Sequence, residues 1–277
     1  MTGANVDGGM VSLAVIHFDA SFFWHYLLQP TPAYLQGLFL TFALAVAGQT
    51  FGVIIGLLTA FARLSRAWPL RSAARLYTWV IRGTPLLVQV VFVYTALAAA
   101  GIFRFNDIEL GGFTIAGNIQ AAIVALSVNE GAYMAEIIRA GILSVDPGQA
   151  EAAKSLGMTY PQSMRLVVLP QAARFVIPPL GNEFNSMLKN TSLVSVIGVQ
   201  ELLLTTNTLV SATFRVFELL LVVATYYLLL TTAWGVVQAR IERYFGKSTL
   251  AADGPSFLER LVAVRRSVEA DTPSDGQ

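Results

Sequence analysis

An all-α membrane protein with about five spanning helices is the fold class this sequence predicts. Three observations predict it. Hydrophobic residues fill 55% of its 277 positions and charged ones only 13%, against roughly 25% charged in a soluble domain. Five apolar runs approach the roughly 20 residues that a span needs. The basic residues between those runs fall almost wholly on alternate connections.

In chain order, residues 1–33 read as an extracytoplasmic lead-in. Its apolar stretch, Met10 to Leu28, is broken by His17, Asp19 and His25 and lacks the basic flank of a signal peptide. Phe22, Phe23, Trp24 and Tyr26 suit the headgroup level. The membrane-spanning body, residues 34–245, holds spans expected at Tyr34–Phe61, Thr84–Phe103, Phe113–Ile138, Phe175–Leu204 and Val216–Val237. Gly48, Gly52 and Gly56 in the first recur every fourth residue, one face on which a second helix can approach closely. Thr84-Pro85 reads as an N-cap and a first-turn proline, which starts the second span. Residues 246–277 form a tail, partly disordered in its small, polar end from Ala270 to Gln277.

Orientation follows from Lys and Arg, which are retained on the cytoplasmic side. Arg63, Arg66, Arg71, Arg75 and Arg82 fill the first connection, and Arg139, Lys154, Arg165 and Arg174 the third. Arg240, Arg243, Lys247, Arg260, Arg265 and Arg266 complete fifteen of the 18 basic residues. Arg104 and Arg215 alone lie on the other side, and Lys189 within a span. The N-terminus is therefore expected outside and the C-terminus in the cytoplasm.

The connection at about residues 144–172 is too structured for a linker. Asp146-Pro147-Gly148-Gln149 predicts an N-cap, a proline at N1 and a capping-box glutamine. A short Ala-rich helix follows, and Gly157 is placed to end it in a left-handed conformation. Thr159-Tyr160-Pro161-Gln162 starts a second helix, which Leu169-Pro170 is expected to close.

Glu151-Ala152-Ala153, Gly157 and Leu169-Pro170 together resemble the EAA motif of permease subunits of bacterial ABC importers, with Val167 where isoleucine is usual. Three more strings resemble the polar amino-acid branch: Arg82-Gly83-Thr84-Pro85-Leu86-Leu87-Val88-Gln89, Gly131-Ala132-Tyr133-Met134-Ala135-Glu136, and Pro179-Leu180-Gly181-Asn182-Glu183-Phe184. The resemblance runs from about Tyr34 to Phe245. It implies a multi-pass protein of the bacterial inner membrane that translocates a polar amino acid delivered by an extracytoplasmic binding protein. It also implies a second permease chain, identical or paralogous, and separate cytoplasmic ATP-binding subunits. Glu151, Ala152, Ala153, Gly157, Leu169 and Pro170 would then couple the chain to ATP hydrolysis.

Ionisable residues inside a span cost roughly 2.5–3.5 kcal/mol on insertion scales, so they mark functional positions. The fourth run holds Asn182, Glu183, Asn185, Ser186, Lys189, Asn190 and Thr191 within ten positions. Asn182, Asn185 and Lys189 share one helical stripe, with Glu183 and Asn190 on the next. A zwitterionic amino acid needs an acceptor for its ammonium and a donor for its carboxylate, and Glu183 and Lys189 carry those charges. Asn129 and Gln89 are the polar residues of neighbouring spans expected to join them on the pathway.

Other functions are excluded or disfavoured. There are no cysteines, and both histidines precede the first long apolar run, so neither a thiol nor an intramembrane histidine centre can exist. No metal or cofactor is expected, and the chain does not read as an enzyme. The net charge of +1 argues against a nucleic-acid partner. Gly246-Lys247-Ser248 mimics the end of a P-loop, but Ile241 occupies the position of the first glycine. Asn190-Thr191-Ser192 matches a glycosylation acceptor but lies in a span. The remaining alternative is an ion-gradient-driven transporter of small polar solutes, against which the absence of an internal repeat weighs.

Overall fold

A computed structural model describes residues 18–246 and is helical except for one small hairpin. His17, most of the lead-in, and the tail from Lys247 onward, including the rest of the P-loop mimic and four of the basic residues counted above, lie outside the described residues.

The element order is α1 (Ala20–Leu28), α2 (Pro32–Leu64), α3 (Trp68–Arg82), α4 (Leu86–Val91) and α5 (Leu97–Ala99), the last two joined by a π-helical turn. The strands β1 (Ile108–Leu110) and β2 (Phe113–Ile115) follow, then α6 (Gly117–Leu143), α7 (Pro147–Ser155) and α8 (Tyr160–Ser163). A second π turn leads into α9 (Leu169–Asn190), and after a 3₁₀ segment come α10 (Leu202–Thr213) and α11 (Val216–Gly246). By length and apolarity α2, α6 and α11 can each cross a membrane, and two bent pairs raise the number of candidate spans from three to five.

Those two bends are where sequence expectation and structure part. The first Arg-rich connection is not a loop. Trp68–Arg82 is helical, buries Ala74 and Thr78, and donates the Tyr77 hydroxyl to the Val128 carbonyl at 2.6 Å. It meets the helix that follows at 106°. Thr84 does not cap that helix. Pro85 occupies the N-cap, and the Thr84 hydroxyl donates back to the Val80 carbonyl at 3.0 Å. The third span starts at Gly117, not Phe113, because Gly111 and Gly112 (φ +54° and +94°) turn the chain into a hairpin pairing Ile108 with Ile115. Asp107 Oδ1 then accepts from the Gly117 N–H at 2.8 Å and starts α6.

The fourth span is longer at its start and shorter at its end than expected. Leu169-Pro170 does not close a helix. The π turn Met164–Val168 shifts the backbone register, so that Leu169 bonds to the Met164 carbonyl and Pro170, which has no N–H, sits in the first turn of α9. The 3₁₀ segment that continues α9 stops at Ile197, where Gly198 is left-handed (φ +79°). The buried Glu201 then caps α10, accepting from the N–H groups of Leu203 and Leu204 at 2.9 and 2.8 Å and from the Tyr227 hydroxyl at 2.9 Å. The resulting bend is 53°.

The glycine face of α2 is used as its spacing predicts. A Cβ on Gly48 would lie 3.1 Å from the Leu126 Cβ, one on Gly52 would lie 2.5 Å from Glu130 Cγ, and one on Gly56 would overlap Met134. The residues opposite also recur every fourth position, so α2 and α6 meet backbone to backbone. Around this seam Leu44, Ala45, Val90, Leu126, Phe184 and Leu188 form one core, and Ala60, Met134, Ile138, Ile142 and Ala172 a second towards the arginine-rich end.

Candidate functional site

The sequence-predicted polar residues divide between two sides of α9. A cleft of about 600 Å³ opens where α3 breaks into α4, lined there by Arg82, Thr84 and Pro85. Asn129, Glu130 and Tyr133 of α6 and Glu183, Ser186 and Asn190 of α9 complete its wall. Of the expected pathway residues it thus gathers Asn129, Glu183 and Asn190. Asn182 is exposed and accepts from Gln238 Nε2 of α11 at 3.0 Å. Asn185 Oδ1 is buried with no hydrogen-bond partner among the described residues. Lys189 is exposed, and neither it nor Asn185 lines the cleft.

Gln89 holds the break itself. Its Nε2 donates to the carbonyls of Ile81 and Thr84 (2.8 and 3.1 Å) and to the Thr84 hydroxyl (2.8 Å), stitching the end of α3 to the start of α4. Its Oε1 accepts from Asn129 Nδ2 at 3.0 Å, so the cleft wall and the break share one hydrogen-bond chain. Gln49 of α2 donates to Glu130 Oε1 at 3.0 Å.

The cation of the cleft is Arg82, which residue-by-residue reading left out of the pathway. Its guanidinium lies 5.3 Å from the centre of the Tyr133 ring and 3.4 Å from Glu136 Oε1. Glu136 also pairs with Arg63 of α2 and, at 3.1 Å, with Arg139 one turn along α6. One carboxylate therefore ties α2, α3 and α6 together just beside the cleft. Arg82 was legible only in part: it opens one of the quoted strings, but its place in the cleft with Glu183 depends on how the end of α3 meets Tyr133 and Glu136 of α6, which no local pattern announces.

At the arginine-rich end, α7 and α8 form a compact projection. Asp146 caps α7 by accepting from the Gly148 N–H at 2.7 Å. The Gln149 side chain does not complete a capping box; its Oε1 accepts from Gln171 Nε2 of α9 at 3.2 Å. Gly157 has φ +81°, and the bonds Gly157 N–H to Lys154 O (2.9 Å) and Met158 N–H to Ala153 O (3.1 Å) are the paired bonds of a Schellman end. Gln162 Oε1 accepts from the Thr159 N–H at 2.8 Å and starts α8. Ala153 is buried, while Glu151, Ala152 and Gly157 are exposed together, flanked by Leu156 and Tyr160 at 80% and 71% exposure. Leu169 and Pro170 form the first turn of α9.

A family profile described as the binding-protein-dependent transport system inner membrane component matches residues 52–247. The chain belongs to that family. It is a multi-pass inner-membrane permease. Among its relatives, the glutamine transport system permease protein GlnP of Escherichia coli K12 is 39% identical over 222 residues, covering 80% of this chain and 97% of that one. The arginine transport system permease protein ArgU of Corynebacterium glutamicum is 40% identical over 212 residues, 76% of this permease and 67% of the relative. A solved amino acid ABC transporter matches with 40% identity and a TM-score of 0.70 over 80% of this permease and 98% of that chain. The inward-facing MetNI methionine ABC transporter, at 18% identity and a TM-score of 0.63 over 82% and 99%, shares the fold.

Proposed function

We propose that this permease is one of two membrane-spanning chains of an ATP-driven importer of a polar amino acid. The observation that carries the reading is the cleft at the α3–α4 break, where Arg82 and Glu183 offer opposite charges among the neutral hydrogen-bonding groups of Asn129, Ser186 and Asn190. A guanidinium presents a planar fork to a carboxylate and a carboxylate accepts from an ammonium, so the pair matches the two groups common to all free amino acids. Relatives named for glutamine and arginine transport support the substrate class.

Delivery by an extracytoplasmic binding protein and hydrolysis on separate cytoplasmic subunits complete the proposal. The α7–α8 projection is the element proposed to dock on the ATPase, through Glu151, Ala152, Gly157 and the exposed Leu156 and Tyr160. That requires the N-terminus outside and the arginine-rich end in the cytoplasm. Because the chain has no cysteine, Ser155→Cys supplies a unique label site. It is expected to react with a membrane-impermeant maleimide only after the cells are opened, and labelling of intact spheroplasts would reverse the orientation.

The function is tested in proteoliposomes that carry the permease with its co-purifying chains. Uptake of a labelled amino acid is expected to require lumenal ATP and added binding protein, and to survive collapse of the ion gradients. Uptake driven by an ion gradient without ATP, or by a lone permease monomer, would overturn the reading.

A further inference from the structure

We propose that the outward face of α3 binds the headgroups of acidic phospholipids. The helix has two unlike sides. One packs on the bundle through Ala74, Tyr77 and Thr78. The other leaves Trp68, Leu76 and Trp79 exposed at 69%, 59% and 73%. At 100° per residue these three fall within about 80° of one another, with the two indoles about 16 Å apart along the helix. Arg75 borders the same face, and Arg71 lies one step further round. The 106° bend turns α3 across the direction of the helix that follows, so it presents this face sideways, as a helix lying in an interface does.

The charge has no counterpart within the described residues. No Asp or Glu occurs between Asp19 and Asp107. Glu136 is taken by Arg63, Arg82 and Arg139, and among the described residues neither Arg71 nor Arg75 forms an ion pair. Arg71 Nε is buried without a hydrogen-bond partner among the described residues, and its Nη1 reaches only the Ser65 carbonyl, at 3.4 Å. A phosphodiester brings a negative charge and several acceptor oxygens to the exposed Arg75 and to the outer nitrogens of the half-buried Arg71, while the glycerol and upper acyl carbons cover the indoles and Leu76. A zwitterionic headgroup brings no net charge. The chain is an inner-membrane component, so lipid is the surrounding that supplies both properties at this face. Since α3 ends at Arg82, a lipid held here would fix the helix that carries the cation of the cleft.

The test uses the complete transporter in vesicles of brominated phosphatidylglycerol or brominated phosphatidylcholine at equal mole fraction. The quenching lost on Trp68→Phe with Trp79→Phe isolates these two indoles. Phosphatidylglycerol is expected to quench them at least about twofold more than phosphatidylcholine. Arg71→Gln with Arg75→Gln, or the exposed Arg75→Gln alone if the pair fails to insert, should bring the two lipids towards equality. Equal quenching in the native chain would mean an apolar face without headgroup selection. Quenching by neither lipid would mean a protein chain covers it. Either result overturns the proposal.

Discussion

Glu183→Gln is expected to weaken the apparent affinity of uptake for its amino acid by about 10- to 150-fold, with the assembled complex intact. The substitution keeps the shape of the side chain and removes the charge that would accept an ammonium. A hydrogen bond to a charged group is worth about 1.5–3 kcal/mol, and each 1.4 kcal/mol is tenfold in affinity. Arg82→Lys tests the other pole: the charge stays but the planar fork is lost, so affinity should fall while the contact with Glu136 can still form. Asn185→Ile and Lys189→Met are the contrasting variants, because neither residue lines the cleft, and both should leave affinity unchanged. The measurement is the concentration dependence of uptake and of substrate-stimulated ATP hydrolysis in proteoliposomes. Unchanged affinity and rate in both Glu183→Gln and Arg82→Lys would make the cleft scaffolding.

Gly157→Val is expected to abolish coupling while leaving membrane insertion untouched. A Cβ at this position would meet nothing within 4 Å, so crowding is not the reason. The reason is the left-handed φ of +81°, which costs an L-residue roughly 1–2 kcal/mol and a β-branched one more. Relaxing that strain breaks the Schellman bonds to Lys154 and Ala153 and re-aims α8 against α7. Stimulated ATP hydrolysis and uptake should both fall to background, with the ATPase subunits bound weakly or unproductively. Asn, which tolerates the left-handed region, should retain most of the activity. Normal uptake by the valine variant would remove the docking role from this turn.

Three of the expected spans were legible because nothing competes with their apolar runs: α2, α6 and α11 keep their charges at or near their ends or on a single packed face. The glycine repeat of α2 was legible because a four-residue period sets all three glycines on one face of a long helix, and α6 packs on that face. The breaks were not. Within α3, Arg71 and Arg75 interrupt the apolar run and read as a loop, although their long stems leave the buried face of that helix free to pack. Pro170 reads as a stop because the π turn that accommodates it has no sequence signature. The cleft followed the same division. Glu183 and Asn190 stood out as polar residues in an apolar run, whereas Arg82 is placed in the cleft by the packing of the end of α3 on α6.

The backbone-to-backbone seam between α2 and α6 makes the pair behave as one stiff beam. With Gly48, Gly52 and Gly56 on one side and Leu126, Glu130 and Met134 seated against them, neither helix can slide by a residue without collision. The beam leads at one end almost directly into α7, with only Ser144 to Asp146 between. If α7 docks on an ATPase as proposed, a push delivered there would find no compliant element along α6. It would pass instead to the joints the beam lacks, at Gly83–Pro85 and at Gly198–Glu201, and the first of these lines the cleft.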